Sequence, residues 1–77
     1  MLKVFLKKDS VENLLATKHM SQNWLALKIG ISSGYISQLI KGERCPSPKV
    51  RQRIHNLFKG KEFDDLFYIK EQEPNLN

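Results

Sequence analysis

The chain has 77 residues, enough for one small domain and little for a separate ligand-binding or oligomerisation domain. A chain of this size buries only about 60% of its unfolded surface, so modest stability is expected. Thirteen Lys and Arg against eight Asp and Glu leave a net charge of +5, which favours a polyanionic partner without demanding one. Cys45 stands alone, which rules out an internal disulfide and fits a reducing, cytoplasmic setting. The apolar run in MLKVFLKKDS is too short for a secretory signal, and no stretch has the length of a membrane span.

Leu2 to Lys7 reads as a short extended arm, because Val4, Phe5 and Leu6 are strand formers. Asp9 with Glu12 three residues on predicts a capping box, followed by a first helix over about 10–18. Val11, Leu14 and Leu15 form its inward stripe. Lys18-His19-Met20 is a connection with Met20 tucked inward, and Ser21 caps a second helix that runs to about Ile29. Gly30 falls where that helix must stop and the backbone must take a positive φ. Ser32 or Ser33 then caps a third helix, which runs from about Ser33 to Ile40 and ends at Gly42 in a left-handed cap. Ser47-Pro48 predicts the start of a fourth helix, with serine as N-cap and proline at the first helical position. Val50, Ile54, Leu57 and Phe58 recur at i, i+4, i+7 and i+8 and give that helix a core face to about Phe58. Lys59-Gly60 ends it. A short fifth helix over 62–67 turns Phe63, Leu66 and Phe67 inward. Tyr68-Ile69-Lys70 is extended and is expected to pair with the N-terminal arm as a two-stranded ribbon on the helical core. The domain is therefore read as 1–70, with 71–77 a flexible, frayed tail containing Pro74.

The stretch QNWLALKIGISSGYISQL, residues 22–39, organises the rest. Leu25, Ile29, Ile31, Ile36 and Leu39 are spaced for one buried seam that crosses the turn, and Ala26 sits where two helices must approach closely. With Gln22 and Gly30, these positions resemble the helix-turn-helix of the XRE family of phage-repressor and Cro-like regulators. The resemblance continues through Gly42, Arg44 and Pro46-Ser47 and covers about three quarters of the chain. It implies an all-α fold of four to five short helices, similar to the lambda repressor DNA-binding domain, with the motif over 22–41. It also implies double-stranded DNA as the partner.

In that family the second helix of the motif reads the major groove, where base edges carry distinct donor and acceptor patterns. Carried over position by position, the candidate base-contacting residues are Ser33, Gly34, Ser37 and Gln38. A Gln38 amide can pair with adenine N6 and N7 together, a contact worth about 1–3 kcal/mol of discrimination. Ser33 and Ser37 specify weakly. Gly34 departs from the family, which often places a long polar side chain there. It permits closer backbone approach and moves part of the specificity towards DNA shape. Tyr35, on the helix flank, could touch a phosphate or a thymine methyl. Ser21, Gln22 and Asn23 are placed to meet phosphate at the start of the second helix, and Lys41 and Arg44 just beyond the reading helix. Lys49, Arg51 and Arg53 on the fourth helix supply at most one or two more contacts.

Plainer readings compete. Gln38 and the serines can be ordinary exposed helix residues, and Lys41 and Arg44 a solvated loop; the motif match outweighs both. Trp24 is expected to pack under the arm or the fourth helix rather than to contact DNA or a partner. Cys45, His19 and His55 lack metal-ligand spacing and a third orienting group, so no metal, no cofactor and no catalytic pair is expected. The apolar residues of the fourth and fifth helices read as core, with a dimer face through Phe63, Phe67 and Tyr68 as the alternative. The expected function is that of a non-enzymatic, sequence-specific transcriptional regulator of phage or mobile-element type, forming a weak or DNA-dependent homodimer on an inverted repeat. An accessory recombination factor, or a protein-interaction module such as an antitoxin or adaptor, are the alternatives.

Overall fold

A computed structural model describes residues 1–72; the expected fraying of residues 73–77 lies outside the described residues. Seven elements follow in order: β1 (Leu2–Leu6), α1 (Lys8–Thr17), α2 (Gln22–Ile29), α3 (Ser33–Lys41), α4 (Pro48–Leu57), α5 (Phe63–Leu66) and β2 (Phe67–Glu71). The five helices enclose one core, and the two strands pair antiparallel as a ribbon at its edge.

The core is the seam that the sequence spacing anticipates. Leu25, Ala26, Ile29, Ile36 and Leu39 are buried across the α2–α3 turn, with Ile31 partly buried against them. Val11 and Leu15 come from α1, Val50 and Ile54 from α4, and Phe58, Leu66 and Phe67 from beyond it. Phe67 is 1% exposed and Phe63 packs on it, ring centroids 5.2 Å apart. That burial withdraws Phe67 from any dimer face. Trp24 is half-buried against the core, with the Lys28 ammonium 5.6 Å from its ring centroid.

The start of α1 differs from the expectation. The helix begins at Lys8, and Asp9 lies within its first turn with no capping box to Glu12. The ribbon causes this. The Lys7 N–H donates to the Leu66 carbonyl at 2.8 Å, and the Lys7 carbonyl accepts from Val11 at 3.0 Å. The backbone is thus turned into the helix at Lys7, directly out of β1. Asp9 still faces the positive end of the helix dipole. A carboxylate-to-backbone cap is found instead at α5, where the Glu62 N–H donates to Asp65 Oδ2 at 2.8 Å.

The ribbon pairs Leu2 with Glu71, Lys3 with Lys70, Val4 with Ile69, Phe5 with Tyr68 and Leu6 with Phe67. Glu71, read from sequence as the first residue of a tail, is therefore a strand residue, and the Gln72 N–H donates to the Met1 carbonyl at 2.9 Å. Strand alternation puts Leu6, Val4 and Leu2 on one face with Phe67, Ile69 and Glu71. Leu6 and Phe67 anchor that face in the core. The other face carries Phe5 stacked on Tyr68, centroids 5.4 Å apart, and the Lys3–Lys70 pair.

Candidate nucleic-acid interface

The geometry of the motif comes from two matched helix ends. Ser21 Oγ accepts from the Trp24 N–H at 3.0 Å, and Ser32 Oγ accepts from the Tyr35 N–H at 3.1 Å. Each satisfies an amide that the first turn leaves free. Ser32, not Ser33, is thus the N-cap of α3, which leaves the Ser33 hydroxyl uncommitted. Both helices also end alike. Gly30 has φ +74°, with Gly30 N–H donating to Leu27 and Ile31 N–H to Ala26. Gly42 has φ +79°, with Gly42 N–H donating to Leu39 and Glu43 N–H to Gln38. This pairing of 5→2 and 6→1 bonds is the Schellman arrangement, which needs a left-handed residue that glycine supplies without steric cost.

One further contact fixes the turn, and the sequence gives little sign of it. Arg53 reaches from α4 and donates from Nη1 to the Ile29 carbonyl at 3.1 Å. A cation on the negative end of α2 is favourable, and it ties the motif to the fourth helix. Arg53 thus has a structural role at the turn, with its remaining guanidinium donors on an exposed side chain. A positively charged residue one turn into a downstream helix was the only available signal.

On α3, residues 33, 34, 37, 38 and 41 span an arc of about 140° at 3.6 residues per turn. Ile36, Leu39 and Ile40, on the other side, are buried and hold the rod to the core. Ser33 and Gly34 are exposed, Ser37 and Gln38 are half-buried, and Lys41 is exposed at the end of the arc. Tyr35 lies on the flank, half-buried, with the Arg44 guanidinium 6.0 Å from its ring centroid. Asn23 is exposed and Gln22 half-buried at the start of α2, next to Ser21. Ser21 Oγ is occupied as a cap acceptor, so only its hydroxyl proton is left to donate. Among the described residues the one ion pair joins the Met1 amino group to Glu71, so no side-chain cation of this surface is neutralised by a carboxylate.

A short rod with a polar outer arc, set on α2 by a tight glycine turn, is the architecture of a helix-turn-helix protein. The HTH_3 helix-turn-helix family model matches residues 11–66, and the chain belongs to that family, the XRE and Cro–C1 type of regulator. It is also similar to the uncharacterized HTH-type transcriptional regulator YvzC of Bacillus subtilis (strain 168), with 36% identity over 66 residues, 86% of this chain and 84% of that protein. No solved structure matches it. No helix among the described residues is long and apolar enough to cross a membrane.

Proposed function

We propose that this chain is a sequence-specific regulator of transcription that sets α3 in the major groove of double-stranded DNA. The observation that carries this reading is the outer arc of α3: Ser33 and Gly34, exposed, and Ser37 and Gln38, half-buried, lie on the side of the helix opposite the core that Ile36 and Leu39 occupy. Base edges in the major groove are distinguished by donor and acceptor pattern, which suits the Gln38 amide best. Ser33 and Ser37 add contacts of low selectivity. Gly34 lets the α3 backbone approach closely. Ser21, Gln22 and Asn23 at the start of α2, with Tyr35, Lys41 and Arg44 around α3, hold the phosphates and set the register.

One reading helix spans a few base pairs, so tight binding calls for two copies on an inverted repeat with half-sites about 34–36 Å apart. The protein acts in the cytoplasm, without catalysis or cofactor, by occluding or recruiting polymerase, as a regulator of phage or mobile-element type. Selection of bound sites from random duplex DNA tests the proposal. The expected result is a recovered motif with dyad symmetry. Gln38→Ala should relax preference at one base position, by about 1–3 kcal/mol if the adenine contact is bidentate. Lys41→Ala should weaken all sequences alike. An unchanged preference in Gln38→Ala would remove Gln38 from the reading set.

A further inference from the structure

The ribbon contains an arrangement that folding alone does not favour. Lys3 and Lys70 are directly opposed across the two strands. Like charges at facing positions of an antiparallel pair repel and weaken it. Both lie on the face of the ribbon that carries Phe5 and Tyr68.

Two clefts run beside the ribbon and share Gly42 in their lining; Lys3 lines one of them, and Lys70 faces Lys3 across the strands from outside both. One, of about 490 Å³, is lined by Tyr68, Lys8 and Lys41, with Asp9 as its acid. Lys7 also lines it, but its ammonium already donates to the Asp64 carbonyl. The other, of about 480 Å³, is lined by Lys3, Phe5, Tyr35, Arg44 and Arg51, with Glu43 as its acid. Arg51 Nε is buried there with no hydrogen-bond partner among the described residues. Lys41 belongs both to the outer arc of α3 and to the first cleft, and Tyr35 to the flank of α3 and the second. The reading surface and the basic trough are therefore continuous.

We infer that the ribbon is a second DNA grip: Lys3 and Lys70, with Lys8 in the neighbouring cleft, hold the phosphate backbone flanking the bases that α3 reads. This rests on the DNA-binding reading and adds contacts the helix-turn-helix itself does not supply. A phosphate between Lys3 and Lys70 turns their repulsion into two attractive pairs. Each cation on a phosphate releases condensed counterions, so the contacts are visible in the salt dependence of binding.

The test compares the full chain, Lys3→Gln/Lys70→Gln, and a charge-matched control, Lys18→Gln/Lys59→Gln, whose residues lie on neither strand of the ribbon. Affinity for a 30-base-pair mixed-sequence duplex and for a selected site is measured by anisotropy across a salt series. The ribbon variant should lower the slope of log K against log salt by about 1.8, or about 0.9 per lost contact, and leave base preference intact. The control should keep the wild-type slope. Without DNA, the ribbon variant should melt at a higher temperature than wild type, because the repulsion is gone. Equal slopes for ribbon variant and control would overturn the second grip while leaving the reading of α3 standing. A lower melting temperature would overturn the argument that the lysine pair is strained by charge. If wild type binds no duplex at all, the DNA reading falls first, and the ribbon inference falls with it.

Discussion

The α2–α3 unit and the ribbon are fixed by different kinds of information. In the helix-turn-helix most decisions are local, the Arg53–Ile29 contact being the exception. Ser21 and Ser32 cap, Gly30 and Gly42 terminate, and the seam from Leu25 to Leu39 closes within fifteen positions of chain. In the ribbon every partner is distant: Leu2 meets Glu71 and Leu6 meets Phe67. The first region is determined by its own segment, whereas the second exists only once the rest of the molecule has brought its strands together. Rigidity follows the same division. α3 is held by an inner face, Ile36, Leu39 and Ile40, that is fully buried; the ribbon keeps Ile69 at 56% exposure and Leu2 at 69%.

Truncation of the seam should separate the two regions most strongly. Ile36→Ala removes a side chain with no exposed surface and should cost about 2–5 kcal/mol, a large share of the stability of so small a domain. Urea denaturation measures it, and a cost below that range would mean the α2–α3 interface can collapse around the cavity. Next comes Gly30→Ala. An alanine there must hold φ +74°, and its Cβ would stand 3.4 Å from Arg53 Nη1, so about 1–2 kcal/mol should be lost. Thermal melting would show it, and a neutral result would contradict the left-handed turn. Gly34→Ala should act in the opposite direction. No atom lies within 4 Å of the added Cβ, and glycine inside a helix is disfavoured, so the fold should gain about 0.5–1 kcal/mol. If the α3 backbone approaches the bases closely, the same variant should bind DNA more weakly despite melting higher. The smallest effect belongs to the ribbon: Ile69→Thr should change stability by less than about 0.5 kcal/mol. A loss comparable to that of Ile36→Ala would erase the distinction between the regions.

This division also explains what could be read from the chain alone. Capping serines, the glycine stops, Pro48 at a helix start and the period of Val50, Ile54 and Phe58 each act within a few residues, and the helices lie where these signals put them. The Asp9–Glu12 pattern failed because a tertiary contact overrode it: the bond from Lys7 to Leu66 sets where α1 begins. Arg53 on the Ile29 carbonyl was hidden for the same reason, since its partner lies 24 residues away. The β-prone arm and Tyr68-Ile69-Lys70 announced a ribbon, but not its register, and only the register brings Lys3 opposite Lys70. The candidate DNA-contacting residues came from the resemblance, and α3 carries Ser33, Gly34, Ser37 and Gln38 on one arc.

Pairing Leu2 with Glu71 has a kinetic meaning. Closing a loop that contains nearly the entire domain carries a large entropic penalty, whereas the turn at Gly30 closes almost none. The helices should therefore assemble first and the strands zip up last. Truncation of a buried ribbon residue, such as Leu6→Ala, should then accelerate unfolding and leave the refolding rate untouched, whereas Ile36→Ala should slow refolding. If both substitutions slow refolding equally, the ribbon is already formed at the barrier and does not zip up last.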